Sequence, residues 1–559
     1  MVASVLRIAR YLRDPSQQPL SPRTSPLHRT AFGLFTVGAF AFAALLTYNA
    51  LAIKGELTTD SLFYIDAANN FLAGRGIVNS MSDYDRLLEV DRGLPVPMTH
   101  WPPMYPLLIA GVSTFCPNSA YAAILVSAGF VLFILAASFA LTWRLYGAAY
   151  AMFVTAMLCH LQPLLLMAYR AWSETAGLAF AVAAAYFAVQ ARPDTKRSGL
   201  WWFAAGLALS LAIATRYAFL PLVALLPLVH LNLRQWKGML VRGCWYGGGL
   251  AVVLGPLFIR NKVVGSFGGP RWGSGHTALE GFQHLGQTLA TSFRIDSTMT
   301  GSLMGIVLIG AVVAALRSFW KRDFATTLRD AFWSSGRWVL WAWPLLYCAF
   351  ILYAQTKVSI GPIAHRLALP AIFFLSLLIV LGTLRVLKLR ATVLAGLAFI
   401  PLATALYTQV ATARSFSGLA LRPAHDLARK IDRSPSLSWL SENIGTSDLL
   451  IAEKGIDIPM YIGPVDTAFF PRMGRPGKPL AYDTMLGWLR DDNRCCRYRR
   501  IVLLIHPTVD ESATWTEPRG DFLPALLDDA GPYPEFERIE TLEDAVLFEI
   551  KCCADLPTP

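Results

Sequence analysis

The feature that most constrains this chain is a succession of apolar segments, each near the length that crosses a bilayer. They run from Ala31 to Ile53, Tyr121 to Leu141, Ala149 to Met167, Ala171 to Val189, Leu200 to Ala214, Phe219 to Leu231, Cys244 to Ile259, Gly301 to Leu316, Trp338 to Ala354, Leu367 to Leu384 and Thr392 to Val410. About 20 apolar residues in a helix span the hydrocarbon layer, where every backbone polar group must find its partner inside the protein. The expectation is a polytopic α-helical membrane protein with about eleven spans. Met104 to Phe115 is too short to cross and is expected at the interface.

The net charge of +12 does not point to nucleic acid, because the basic residues lie in short runs between the apolar segments. With the N-terminus inside, the tail and alternate connections hold 20 Lys and Arg against four acids, whereas the first outer loop, Lys54 to Pro103, holds four basic residues and seven acids. This asymmetry orients the chain. Residues 1–30 read as an uncleaved cytoplasmic tail, since no short apolar core precedes a cleavage-like site. Residues 31–413 form the membrane domain, with an outer loop at 54–118, and 414–559 form a small extracytoplasmic α/β domain. In that last part, strands are expected at Leu449 to Ala452, Ile501 to Ile505 and Ala545 to Ile550, and helices at Ser436 to Asn443 and Phe522 to Asp529. It carries no Gly-rich phosphate loop and no nucleophile elbow.

The long first outer loop is more than an anchor needs. It opens with Thr58-Thr59-Asp60-Ser61-Leu62-Phe63-Tyr64-Ile65-Asp66, whose apolar residues recur at helical spacing. That pattern predicts an amphipathic helix on the membrane surface with Asp60 at its start, where the carboxylate either caps the helix or does chemistry. Asp66, six residues on, is off that face, so the two do not form a carboxylate pair. Further charges sit at the outer ends of spans: Arg170 and Glu174, Arg216, Arg260 and Lys262, and His365 with Arg366. Ionisable groups near hydrocarbon face a cavity or a partner, or else snorkel to the headgroups.

Taken in order, these words resemble the GT-C superfamily of membrane glycosyltransferases that use polyprenyl-phosphate sugars, including the protein mannosyltransferase and aminoarabinose transferase families. The resemblance rests on Asp60 after the first span, on Ala67 or Ala68, Asn69 or Asn70, Gly74 and Gly76, and on Pro102-Pro103-Met104-Tyr105-Pro106. Trp172-Ser173-Glu174, Ala214-Thr215-Arg216-Tyr217, Arg260-Asn261-Lys262 with Gly265, and His365-Arg366 with Pro370 extend it, so that it covers Thr59 to Pro370. It implies the GT-C fold, with Asp60 as the base that deprotonates an acceptor hydroxyl in one inverting displacement. Arg216, Arg366, Arg170 and Arg260 would take the donor phosphate, and His100, Glu174, Tyr64, Asp66 and His365 would contact substrate. Guanidinium groups suit the charge that a departing phosphate gains. Trp101, Tyr105 and Trp272 could stack on sugar faces or serve as interfacial belt residues. Many relatives carry two adjacent acids where this chain has Asp60-Ser61, and no metal or other cofactor is expected. The partners implied are the lipid-linked donor, a glycan, lipid or protein acceptor and membrane lipid, in the cell (inner) membrane.

Two rivals use the same residues. A transporter or flippase of a lipid-linked saccharide would bind the headgroup without chemistry, but it is expected to show repeat symmetry, and the sequence has none. The other is a non-catalytic assembly subunit. Of the eight cysteines, Cys159, Cys244 and Cys348 lie in apolar runs, and Cys495-Cys496 and Cys552-Cys553 could form one or two disulfides if their domain is outside the cytoplasm.

Overall fold

The structure is a computed structural model that describes residues 26–52, 58–83, 96–99, 101–116, 118–191, 197–230, 236–264, 277–292, 338–357, 365–387, 391–416, 434–452, 465–469, 498–505 and 536–550. The chain begins with α1 (Pro26–Ala52), then α2 (Thr59–Leu72), which carries Asp60. Three short strands follow, β1 (Val78–Asn79), β2 (Met81–Asp83) and β3 (Val96–Pro97), and then the short apolar α3 (Met104–Ser113). The helical part of the chain continues through α4 (Ser119–Tyr146), α5 (Ala148–Leu158), α6 (Gln162–Ala168), α7 (Ser173–Gln190), α8 (Ser198–Thr215), α9 (Leu222–Leu225) and α10 (Trp236–Val263). It is completed by α11 (Ala278–Ser292), α12 (Trp338–Lys357), α13 (His365–Leu387), α14 (Ala391–Leu397) and α15 (Phe399–Phe416).

Among the described residues, six helices are long and apolar enough to cross a membrane, or seven if α5 and α6 make one bent span. Two expected spans take a different form. Ala149 to Met167 is split into α5 and α6, which meet at 69°. Leu161 adopts extended backbone as the N-cap of α6, and Pro163 sits in its first turn, where the N–H it lacks would have no partner within the helix. The His160 Nε2 atom lies 2.6 Å from the Pro401 carbonyl at this break. Phe219 to Leu231 is not one helix but α9 between two 3₁₀ turns, because Pro221 and Pro227 lack the N–H a continuous helix needs. The expected span at Gly301 to Leu316 lies outside the described residues.

Small residues let the helices approach. A Cβ on Gly206 of α8 would come within 2.1 Å of the Tyr246 carbonyl oxygen on α10, and one on Gly249 equally close to the Phe203 carbonyl oxygen. Association in lipid depends on such packing, since tails are as apolar as leucine. Polar groups tie other helices: Asn49 of α1 donates to the Gln409 side chain (2.8 Å) and carbonyl (2.9 Å) on α15, and Tyr169, just before Arg170, donates to Gln409 Oε1 at 3.4 Å.

The helix expected on the membrane surface is buried instead. Residues Ser61 to Ala68 of α2 are all buried, packed among α3, α4 and β1, because Leu62, Phe63, Tyr64, Ile65, Ala67 and Ala68 leave no continuous polar face. The C-terminal part holds α16 (Pro435–Asn443), β4 (Leu449–Ala452), β5 (Asp466–Phe469), β6 (Ile501–Ile505), β7 (Phe536–Thr541) and β8 (Val546–Ile550). Its sheet has the order β2-β5-β4-β6-β8-β7, parallel from β2 to β6 and antiparallel for β8 and β7. Strands β4 and β6 are buried along their whole length, as continuous apolar runs in a parallel sheet are. The edge strand β2 comes from the first loop, pairing Met81 with Thr467 and Asp83 with Phe469. An ion pair reinforces the junction: Arg75 Nη1 to Asp466 Oδ1 at 3.4 Å. The helix expected at Phe522 to Asp529 and the cysteine doublets lie outside the described residues.

Candidate active site

The site begins with how α2 starts. Thr58 is the N-cap: its hydroxyl accepts the Ser61 N–H at 3.4 Å, while the Thr58 N–H is donated to Ser61 Oγ at 3.3 Å. This reciprocal capping box leaves Asp60, at the second helical position, with no capping work. The capping reading of Asp60 is therefore corrected, since a hydroxyl two residues earlier already serves the free amides. The carboxylate stays in the first turn of α2, free of the cap.

Asp60 Oδ2 accepts from Arg366 Nη1 at 2.5 Å, a contact between the start of α2 and the start of α13. Both side chains are partly open to solvent, Asp60 at 19% and Arg366 at 32%. A second pair lies deeper. Arg216 leaves the end of α8 in extended conformation and pairs through Nη1 with Glu174 Oε1 at 2.9 Å, in the first turn of α7. It also donates to Ser173 Oγ at 3.4 Å, and Ser173 shares a 2.9 Å hydrogen bond with the Tyr64 hydroxyl, one turn beyond Asp60. Among the described residues, the buried Arg216 Nε has no hydrogen-bond partner.

Trp172 joins the two pairs. Its indole N–H is donated to Thr58 Oγ1 at 2.6 Å, and its ring lies 5.3 Å from the Arg366 guanidinium carbon and 4.9 Å from that of Arg170. Three consecutive residues, Trp172, Ser173 and Glu174, thus touch the start of α2, the end of α8 and the start of α13. The sequence offered all three as one word, Trp172-Ser173-Glu174, but gave a site role to Glu174 alone. Tyr64 also packs edge-on to Trp101 and Tyr105, and Phe63 packs on Trp101, which makes an aromatic wall along α2.

The other sequence candidates lie elsewhere. Asp66 points to the far end of α2, where it accepts from the Ser80 N–H at 2.7 Å and from Asn70 at 3.2 Å. Arg260 donates to the Ile77 carbonyl at 3.0 Å and to Asn261 at 3.2 Å, while Asn261 donates to the Tyr217 hydroxyl at 3.0 Å. His365 faces α11, 2.8 Å from Ser292 Oγ. His100 and Trp272 lie outside the described residues. No three His, Cys, Asp or Glu side chains come together among the described residues.

Apolar helices whose ends gather two Arg–carboxylate pairs, with a sheet built partly from the first loop, define a multi-pass membrane protein with a polar site at its helix ends. Its architecture is the GT-C fold, that of ArnT from Cupriavidus metallidurans. The apo structure of ArnT is 12% identical, with 93% of this chain and 98% of that one covered at a TM-score of 0.58. ArnT bound to undecaprenyl phosphate is 13% identical, with 94% and 99% covered and a TM-score of 0.54. A looser likeness, TM-score 0.46 at 13% identity over 86% of this chain and 70% of that one, is to the oligosaccharyltransferase AglB of Archaeoglobus fulgidus. No protein-family model matches the chain, and no curated protein matches its sequence.

Proposed function

We propose that this protein transfers a sugar from a polyprenyl-phosphate donor to an acceptor hydroxyl on the outer face of the membrane. The observation that carries the reading is the Asp60–Arg366 contact at 2.5 Å, a carboxylate and a guanidinium partly open to solvent beside the deeper Arg216–Glu174 pair. It lies in the fold of a protein whose structure holds undecaprenyl phosphate. One group can take a proton and its neighbour can take a phosphate, the two things this reaction asks for.

In a single displacement the acceptor oxygen bonds to the anomeric carbon while its proton passes to Asp60. The bond from that carbon to the phosphate oxygen breaks, and the electron pair leaves with the phosphate. Charge growing on the phosphate is stabilised by Arg366 and Arg216, and by Arg170, which lies against the same Trp172 ring as Arg366; the spare Arg216 Nε is a donor available to it. Attack opposite the leaving group inverts the anomeric centre. Glu174 and Ser173 hold the Arg216 guanidinium in orientation before the donor arrives. Arg260, bonded to the Ile77 carbonyl, steadies the turn after α2.

The pairing of β2 with β5 supports putting the first loop and the C-terminal domain on one side of the membrane, which loop charge makes the outer side. The test of the reading is Asp60→Asn. The amide keeps the size of the side chain but accepts no proton, so turnover should fall by about 10² or more while undecaprenyl phosphate still binds. Turnover close to wild type would remove Asp60 as the base.

A further inference from the structure

Arg366 faces a conflict if Asp60 is the base. At rest one of its N–H groups is donated to Asp60 Oδ2, so an oxygen that must later take the acceptor's proton is already engaged. A lipid phosphate that takes Arg366 for itself frees Asp60, so the two anions compete for one guanidinium. An arginine leaving one anion is a long flexible chain, and something must keep it in the site during the exchange.

We propose that Trp172 is the positioning residue for this exchange: its ring keeps the Arg366 guanidinium in place as the partner changes from Asp60 to the lipid phosphate, while its N–H fixes the helix that carries Asp60. The proposal rests on the polyprenyl-phosphate reading above. The ring lies 5.3 Å from the Arg366 guanidinium carbon, within the range of cation–π attraction, and that attraction does not depend on which anion the arginine holds. Trp172 is 6% exposed, and its N–H is donated to Thr58 Oγ1 at 2.6 Å, so the ring cannot turn away without leaving a buried donor unpaired. Thr58 is the cap of α2, so the same bond sets the start of the helix on which Asp60 sits. Arg170 lies 4.9 Å from the same ring, which places a second guanidinium where the phosphate arrives. Packing alone does not ask for this combination of a polar tie on one side and two cations on the other.

The experiment measures equilibrium binding of radiolabelled undecaprenyl phosphate to the purified full chain in detergent. Trp172→Phe keeps a ring but loses the N–H, and Trp172→Leu keeps apolar bulk but loses the ring. Each is made alone and combined with Asp60→Asn, and each is required to run as a monodisperse species. Asp60→Asn alone should tighten binding by about tenfold, because Arg366 no longer has to leave an anion. The Phe variant should bind within about twofold of wild type and keep that gain, whereas the Leu variant should bind about tenfold more weakly and lose it. Amide exchange at the start of α2 should rise in both, which marks the lost bond to Thr58. Equal affinities in the Phe and Leu variants, or an undiminished Asp60→Asn gain in the Leu variant, would overturn the positioning role and leave the donor reading standing. A wild-type chain that does not bind undecaprenyl phosphate would overturn both.

Discussion

Asp466 is where the first loop and the C-terminal sheet meet, and replacing it by Asn should change stability in a pH-dependent way. The carboxyl is 5% exposed, and burial pushes it up to about 6 from an ordinary 3.8, even though Arg75 at 3.4 Å and Tyr498 at 3.3 Å act to hold it down. The native state therefore binds this proton more tightly than the unfolded chain does. Its contribution favours folding in full below about pH 4 and is lost as pH rises through about 6. A shift of about two units at 1.36 kcal/mol each makes the ionised side chain cost ~3 kcal/mol above that window. Asn resembles the neutral acid and can still accept from Arg75. The apparent melting temperature of Asp466→Asn in detergent should thus exceed wild type by several degrees at pH 7.5, and the two should converge near pH 4. Asp448 and Asp544, whose hydrogen bonds hold their carboxyls below the usual range, are common to both proteins and cancel in the comparison. Curves that stay parallel from pH 4 to 7.5 would refute the reasoning. So would an Asn variant that melts lower at pH 7.5, because the pair with Arg75 would then outweigh the burial of the charge.

Other expectations follow from the membrane domain. Arg216→Lys keeps the charge but loses the second donor of the fork, so undecaprenyl phosphate should bind more weakly, and Arg216→Gln should be worse because Glu174 is left buried without a counter-charge; binding equal to wild type in both would take Arg216 out of the phosphate site. Gly206→Ala forces its Cβ to within 2.1 Å of the Tyr246 carbonyl oxygen, so α8 and α10 must separate, and the monodisperse fraction after purification should drop sharply. A cysteine introduced by Ser512→Cys should react with an impermeant maleimide in intact cells; reaction only after lysis would reverse the orientation read from loop charge.

Much of this architecture could be read from the chain because hydrocarbon thickness fixes the length of a span. Strands such as Leu449–Ala452 and Ile501–Ile505 were equally legible, being short runs of Leu, Ile and Val. The bend between α5 and α6 was not: His160, Gln162 and Pro163 interrupt the apolar run, but a proline can also kink a helix without dividing it. Nor were β5 (Asp466–Phe469) and β2 (Met81–Asp83), whose residues carry no alternating pattern: β5 is a strand through its pairing with β4 and β2, and β2 through its pairing with β5. In the site, the charged residues stood out because charge near lipid is costly, but which carboxylate each arginine holds was hidden. Asp60 and Arg366 are 306 residues apart, and nothing local records their contact. Thr58, Trp172 and Ser173 were quoted within longer words but given no role of their own, because hydroxyls and an interfacial tryptophan are ordinary at the end of a span.

The sharing of one sheet between β2 and β5 also sets the order in which this protein can be made. Arg75 and Asp466 are 391 residues apart, so at about 5–20 residues per second the ribosome needs roughly 20–80 s to deliver the partner of Arg75 after Arg75 itself has emerged. During that interval the first helices can insert, but β2 is an edge with nothing to pair with, and the turn after α2 lacks its ion pair. Final anchoring of the loop beside Asp60 thus waits for a segment made late, and a chain stalled before residue 466 would hold its first helices around a loop still without its sheet.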